Sequence, residues 1–250
     1  MALKPGTCQL CMKHRPLALS HAIPNALIRD IQRRNNGQTI VLTGSSPHHR
    51  RSNESGGDHL LCEHCESKLN TCFDAYGVRW INQARQQLDK SPRDVRREVD
   101  PQRMLGFIAS VLWRAAISRN AVYSSMETDY GERMLLRRVF ETQDDRYAFA
   151  SMSVSNLIDS KNLFPPVALR DVVTPPTSWQ TVSAGRRLRA FFFVANGLLL
   201  GLTMPPPSRG TGRKTFWAAD TFKPRIRDQD IRKFPPIQHI LALPVQRKKS

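Results

Sequence analysis

Leu60-Leu61-Cys62-Glu63-His64-Cys65-Glu66 is the stretch on which the reading of this chain turns. A Cys-x-x-Cys step places two thiolates on one tight turn. Beyond it, Leu69, Phe73, Tyr76, Trp80, Ile81, Ala84 and Leu88 recur at three- and four-residue steps. That spacing predicts a helix carrying Cys65 and Glu66 in its first turn, with a kink at Gly77. A matching pair, Cys8-x-x-Cys11, stands near the start of the chain. Two chelating pairs complete a tetrahedral four-sulfur shell for Zn²⁺. Such a shell is closed, so the metal it holds is structural.

Outward from the cysteines, residues 1–90 read as one metal module. Leu19-Ser20-His21-Ala22-Ile23-Pro24 lies between the pairs. Asn35-Asn36-Gly37 is a turn signal, and Gln38–Thr43 is a short β-rich run. Ser45–Asp58 is polar and reads as an exposed loop. Residues 91–250 read as a helical segment followed by an antiparallel β region with a basic tail. Ser91-Pro92 and Asp100-Pro101 have the form of helix starts. Leu105–Ile117 is a strongly apolar helix that contains Arg114, which pairs with a buried acid, stacks on an aromatic or reaches the surface. Gly131–Thr142 is amphipathic, with Leu135, Val139 and Phe140 inward. Asn196-Gly197 between two apolar runs is a strong hairpin signal.

Composition narrows the partners. The 250 residues carry a formal charge of +17, with Arg209–Ser250 holding eleven Lys/Arg against three Asp. A field of that sign draws polyanions, and nucleic acid is the default. Arg213, Lys214, Lys223 and Arg225 are candidates for phosphate contact, with Phe216 and Trp217 interleaved for base stacking. Met1–Gly6 does not read as a signal peptide. The most apolar run, Ala190–Leu202, is too short to span a bilayer. The expectation is a soluble cytoplasmic protein whose paired cysteines bind metal rather than form disulfides, with Cys72 as a buried thiol. His14, His48, His49, His59 and His64 read as solvated.

Cys-x-x-Cys, then Ser20-His21-Ala22-Ile23-Pro24, then Leu60-Leu61-Cys62-x-x-Cys65-Glu66 together resemble the zinc-knuckle branch of the HNH endonucleases. The resemblance covers residues 8–66, and it extends to bacterial standalone proteins with a Ser-His-Ile-Ile-Pro segment and a Cys-x-x-Cys-Glu ending. It implies an α+β fold with an N-terminal treble-clef, or ββα-metal, module. It also implies metal-dependent hydrolysis of phosphodiester bonds in DNA, in a setting of mobile elements or phage defence. His21 takes the place of the family's general base, whose neutral imidazole removes a proton from water. Glu66 takes the place of a terminal ligand for Mg²⁺ or Mn²⁺. Ser20 stands where the family has Asp or His, and a neutral hydroxyl is a poor primary ligand. Asp58, His59 and Asn53 are the nearest counterparts of the family's middle asparagine.

Each of these residues has a plainer reading. His21 is equally a histidine hydrogen-bonded within a hairpin. Glu66 is equally a first-turn acid favoured by the helix dipole. The chain as a whole also suits a non-catalytic nucleic-acid-binding module, or a protein-interaction partner in which the charge is incidental. A double-strand break by one such site requires a homodimer or two encounters.

Overall fold

The computed structural model describes residues 4–34, 39–41, 50–52, 56–91, 96–142, 146–162, 164, 166–183, 185–206 and 223–233. Strands β1 (Lys4–Thr7), β2 (His14–His21) and β5 (Gly57–Cys62) make a three-stranded antiparallel sheet. Between β2 and β5 lie helix α1 (Asn25–Arg34) and strands β3 (Thr39–Val41) and β4 (Arg50–Ser52). Helix α2 (Glu63–Leu69) follows β5 directly and runs through a π-helical turn, Asn70–Asp74, into α3 (Ala75–Lys90). Beyond it come α4 (Pro101–Ile117), α5 (Tyr130–Glu141), β6 (Ser151–Ile158), α6 (Pro166–Arg170), β7 (Val172–Ser183), β8 (Arg186–Ala195), β9 (Leu198–Met204) and β10 (Arg227–Asp230).

The second sheet has seven strands in the order β10-β6-β9-β8-β7-β3-β4. The expected antiparallel pairing holds for its centre, but β10 pairs with β6 in parallel, and so does β3 with β7. The β-rich run near residue 40 therefore joins this larger sheet and not the cysteine-bearing one. The Asn196-Gly197 hairpin forms as expected, with φ of 52° and 70° at the two turn residues. These positive angles are what a type I′ turn needs and what Asn-Gly tolerates.

The run Ala190–Leu202 is apolar because both faces of the sheet centre are covered. Side chains alternate along a strand. Phe191, Phe193, Ala195, Leu198, Leu200 and Leu202 face the main core, where Phe193 meets Phe107 of α4 edge to face at 6.3 Å. Phe192, Val194 and Leu199 face a smaller core with Leu157, Leu169 and Ile231. Among the described residues, no helix is long and apolar enough to cross a membrane.

Helix α4 is the centre of the main core. Asp100 caps it by accepting from the Arg103 N–H at 3.0 Å, with Pro101 at the first helical position. Met104 to Ala115 are all buried. Its approach to the α2–α3 helix is unusually close. A Cβ on Gly106 would lie 2.4 Å from the Phe73 ring, and one on Gly77 would lie 2.4 Å from the Phe107 ring. Each helix sets a phenyl ring into the other's glycine notch. Gly77 is thus a packing notch, and the irregularity in this helix is the π-turn just before it.

Other expectations change with burial. Leu135 is 40% exposed and Leu136 takes its inward place. Cys72 is exposed on the π-turn. Ser91 closes α3, its N–H donating to Gln87 O at 2.9 Å, and the residues that would follow it in a new helix, 92–95, lie outside the described residues. The polar stretch before Asp58 includes β4.

Replacing Gly106 with Ala should overpack the Phe73 contact and lower stability by about 1–3 kcal/mol, despite alanine's better helix propensity. Thermal denaturation measures this. An unchanged or higher Tm would show that the notch has slack.

Candidate functional site

The first cysteine pair sits on the turn between β1 and β2. The Met12 N–H donates to Cys8 O at 2.8 Å, the Cys8 N–H to Lys13 O at 3.0 Å, and Met12 takes φ of 59°. This left-handed residue closes the knuckle. The second pair bridges the end of β5 and the first turn of α2. The Gln9 N–H donates to Leu60 O at 3.0 Å and ties the two knuckles together.

The four Sγ atoms of Cys8, Cys11, Cys62 and Cys65 all lie within 4.8 Å of one another, with Cys11 and Cys62 at 3.9 Å. A tetrahedron of Zn–S bonds of about 2.3 Å has S···S edges of about 3.8 Å. The cluster can therefore hold a metal ion such as zinc. Four thiols so close oppose one another's ionisation. Burial and the neighbouring sulfurs push Cys65 up. Burial works the same way on Cys8, but backbone N–H groups of Cys11, Cys62 and Leu10 more than offset it and bring it down to about 7. A divalent cation removes the conflict by favouring all the thiolates.

Beside the cluster is a cleft of about 570 Å³. His21, Glu66, Asp74, Arg79 and Arg114 all line it. Antiparallel β2 and β5, followed at once by α2, bring His21 from a strand end and Glu66 from a helix onto the same opening. The Ser20 hydroxyl, 1% exposed, donates to Glu66 Oε2 at 2.7 Å and is not among the cleft-lining residues. Ser20 thus holds the carboxylate that the sequence pointed to. The side chain of Glu66 is 25% exposed, and its Oε1 faces Arg114 Nη1 at 3.8 Å.

Arg114 is 1% exposed and, among the described residues, stacks on no aromatic ring. Its Nη1 and Nη2 donate to Asp74 Oδ2 and Oδ1 at 2.8 and 2.7 Å, and its Nε donates to Ser110 O at 3.3 Å. Burial alone would lower its affinity for the proton. The carboxylates of Asp74 and Glu66 more than offset that, so it stays charged.

The electrostatics separate two roles. Burial, followed by the positive charges of Arg114 and Arg29, holds His21 below its ordinary value of 6.5. The imidazole is therefore neutral at pH 7. Burial raises Glu66 above 4.5, with Arg114 and the Ser20 hydrogen bond pulling the other way.

The segment after residue 90 fixes the approach to His21. The buried Tyr123 hydroxyl lies near the backbone N–H groups of Ala22 and Ile23, and burial lifts that phenol to about 12. Gly56, at φ of 65°, lies so close that a Cβ would meet the same hydroxyl at 2.8 Å. Asp58 Oδ2 accepts from Ser118 Oγ at 3.0 Å and from the Arg119 N–H at 2.8 Å. Asp58 thus latches β5 to the end of α4. His59 is on β5, half-buried, with Nδ1 3.1 Å from Leu17 O, and is not a solvated loop residue. His14 and His64 are exposed. Asn53, His48, His49, Arg213, Lys214, Phe216 and Trp217 lie outside the described residues. Lys223 lines a different cleft, with Tyr76, Glu98 and Asp100, and Arg225 forms an isolated bridge with Arg96.

Reading the sequence for the site missed Asp74 and Tyr123, and left Arg114 outside it. Asp74 carried only a partial signal: eight residues after Glu66 on a regular helix is about 80° round from it, and the π-turn between them makes up the difference.

No protein-family model, curated protein or solved structure compared with this chain matches it.

Exchanging Asp74 alone for Leu should strand the Arg114 charge and cost about 3–5 kcal/mol, read as a loss of Tm. A variant as stable as the parent would mean that Arg114 finds another partner.

Proposed function

We propose that this chain is a metal-dependent phosphodiester hydrolase acting on DNA, with the general plan of a zinc-knuckle HNH nuclease. One observation carries the reading: a neutral His21 and Glu66, both half-buried, open onto one cleft beside a four-cysteine cluster. The strand–strand–helix order of β2, β5 and α2 fits a ββα-metal module, and the cysteines fit a structural zinc.

His21 is the general base. Its neutral imidazole accepts the proton of a water molecule lying in line with the bond from phosphorus to the leaving oxygen. Water oxygen bonds to phosphorus, and the ester oxygen departs. Glu66 suits a divalent cation: it is a hard donor on the cleft wall, and one of its oxygens is oriented by Ser20. Mg²⁺ or Mn²⁺ held there would offset the charge that develops on phosphate. Arg79 lines the same cleft as an exposed cation that can meet a phosphate. The formal charge of +17 draws the polyanion to the surface as a whole.

The Ser20 bond to Glu66 also favours a second reading. With that hydroxyl turned away from the cleft, no acid or imidazole stands beside His21 in the chain, as it does in the family pattern. The chain would then bind DNA without cutting it.

Plasmid nicking with Mg²⁺ or Mn²⁺ tests the two. Cleavage is expected in the parent and is lost in His21→Ala with the melting curve unchanged. DNA binding with no cleavage would establish the second reading. Cleavage should rise with pH to a plateau whose lower edge lies below 6.5, because the base works unprotonated and its pKa is held down. A lower edge above 6.5 would assign the base elsewhere. Metal analysis should return zinc in a ratio of about one per chain. Cys62→Ser should then unfold the N-terminal part, because the binding energy of a structural zinc is folding energy. A cooperative melt retained after chelation would overturn the zinc assignment.

A further inference from the structure

Three features of this molecule carry a cost, and all three serve one contact. The chain inserts a π-turn at Asn70–Asp74 into an otherwise regular helix. Such turns are rare and concentrate at functional sites. It spends two glycines inside helices, Gly77 and Gly106, to let α4 come close. Each glycine costs about 1 kcal/mol in helix propensity. It also buries an arginine, 1% exposed, in the most apolar of the long helices described. The π-turn places Asp74, the notches bring α4 to it, and Arg114 and Asp74 meet there at 2.7 and 2.8 Å.

Stability does not explain the pair. A well-packed apolar pair of similar volume is commonly as stable as a buried ion pair, or more so. The position does explain it. Arg114 and Asp74 both line the cleft of His21 and Glu66, and the Arg114 Nη1 faces Glu66 Oε1 at 3.8 Å. That distance exceeds a hydrogen bond, so the guanidinium acts on the carboxylate as a fixed charge and leaves its oxygen available. Ser20 holds the other oxygen. Glu66 is thereby oriented from both sides, once by each half of the chain.

We infer that Arg114, locked by Asp74, is a positioning residue for the Glu66 carboxylate that receives the divalent cation. The active site therefore extends beyond the cysteine-bearing segment into α4. This rests on the nuclease reading above. Its consequence concerns the cation: metal binding at Glu66 depends on a residue that never touches the metal. Partners at that remove typically change metal affinity or activity by about 10–100-fold.

The test uses the full-length chain and Mn²⁺ as the probe, with binding followed by electron paramagnetic resonance. The main variant is Arg114→Met combined with Asp74→Leu, which removes the pair without stranding either charge. It should melt at or near the parent's Tm, bind Mn²⁺ about 10–100-fold more weakly, and lose cleavage in proportion. Arg114→Lys, which keeps the charge and loses the fork, should recover part of both. A folded double variant with the parent's Mn²⁺ affinity would overturn the inference and reduce the pair to a structural one. Should the double variant fail to fold, Arg114→Lys decides: Mn²⁺ affinity and cleavage equal to the parent's would overturn it, and a loss in both at unchanged Tm would sustain it. A parent chain that binds no Mn²⁺ and cuts nothing would sink the nuclease reading, and this inference with it. A parent that binds and cuts while the variants do not differ would sink this inference alone.

Discussion

A guanidinium buried inside an apolar helix has to be neutralised where it stands, because desolvating an unpaired charge costs several kcal/mol. Much of this molecule is arranged around that requirement. Arg114 cannot move, since its own helix is packed on every side. Asp74 must come to it, and a regular helix leading from Cys65 would carry position 74 past it at a different angle. The π-turn makes the adjustment. The glycine notches then shorten the distance between the two helix axes until a bidentate contact fits.

The cysteine cluster acts at the opposite end of the same helix. It anchors the first turn of α2 to the knuckle between β1 and β2, so Glu66 is set one residue from a rigid point. His21 is held by a different set of contacts. The buried Tyr123 hydroxyl lies near the backbone just after it, and Gly57, its partner across the β2–β5 pair, leaves room for its ring. A Cβ on Gly57 would approach His21 Nε2 to 3.1 Å. The two groups that line the cleft are therefore supported independently, on a strand end and on a helix start. Preorganisation of this kind is what the proposed hydrolytic site would require of its scaffold.

What the sequence disclosed, and what it hid, follows from the range of each interaction. The cysteine pairs, the helix after Cys65, the Asp100-Pro101 start and the Asn196-Gly197 turn are all local patterns, and each formed where it was expected. Glu66 and His21 were visible through their spacing from the cysteines. The π-turn was not, because one extra residue per turn leaves the three- and four-residue steps of Phe73, Tyr76 and Trp80 nearly intact. Arg114 lay in view as an oddity in an apolar helix, yet nothing local said which acid it would meet forty residues away. The edge of the larger sheet was hidden for the same reason: β3 pairs in parallel with β7, more than a hundred residues downstream. Leu135 and Leu136 show the limit at finer scale, since adjacent leucines at the edge of a helix's apolar face differ only by about 100° of rotation.

Phe191-Phe192-Phe193 reads as a single greasy block, but its members belong to two separate cores. On a strand with one wet face, a slip of one residue would drive charges inward and correct itself. Here both faces are dry, so β8 sliding past β9 by one place would bury nearly the same apolar surface as before. Burial cannot tell the right alignment from the wrong one. The decision falls to Asn196 and Gly197, whose left-handed backbone permits only the pairing of Ala195 with Leu198. Two small residues at the tip of the hairpin thus hold the addressing information for the whole sheet centre, and through Phe193 they set where α4 comes to rest.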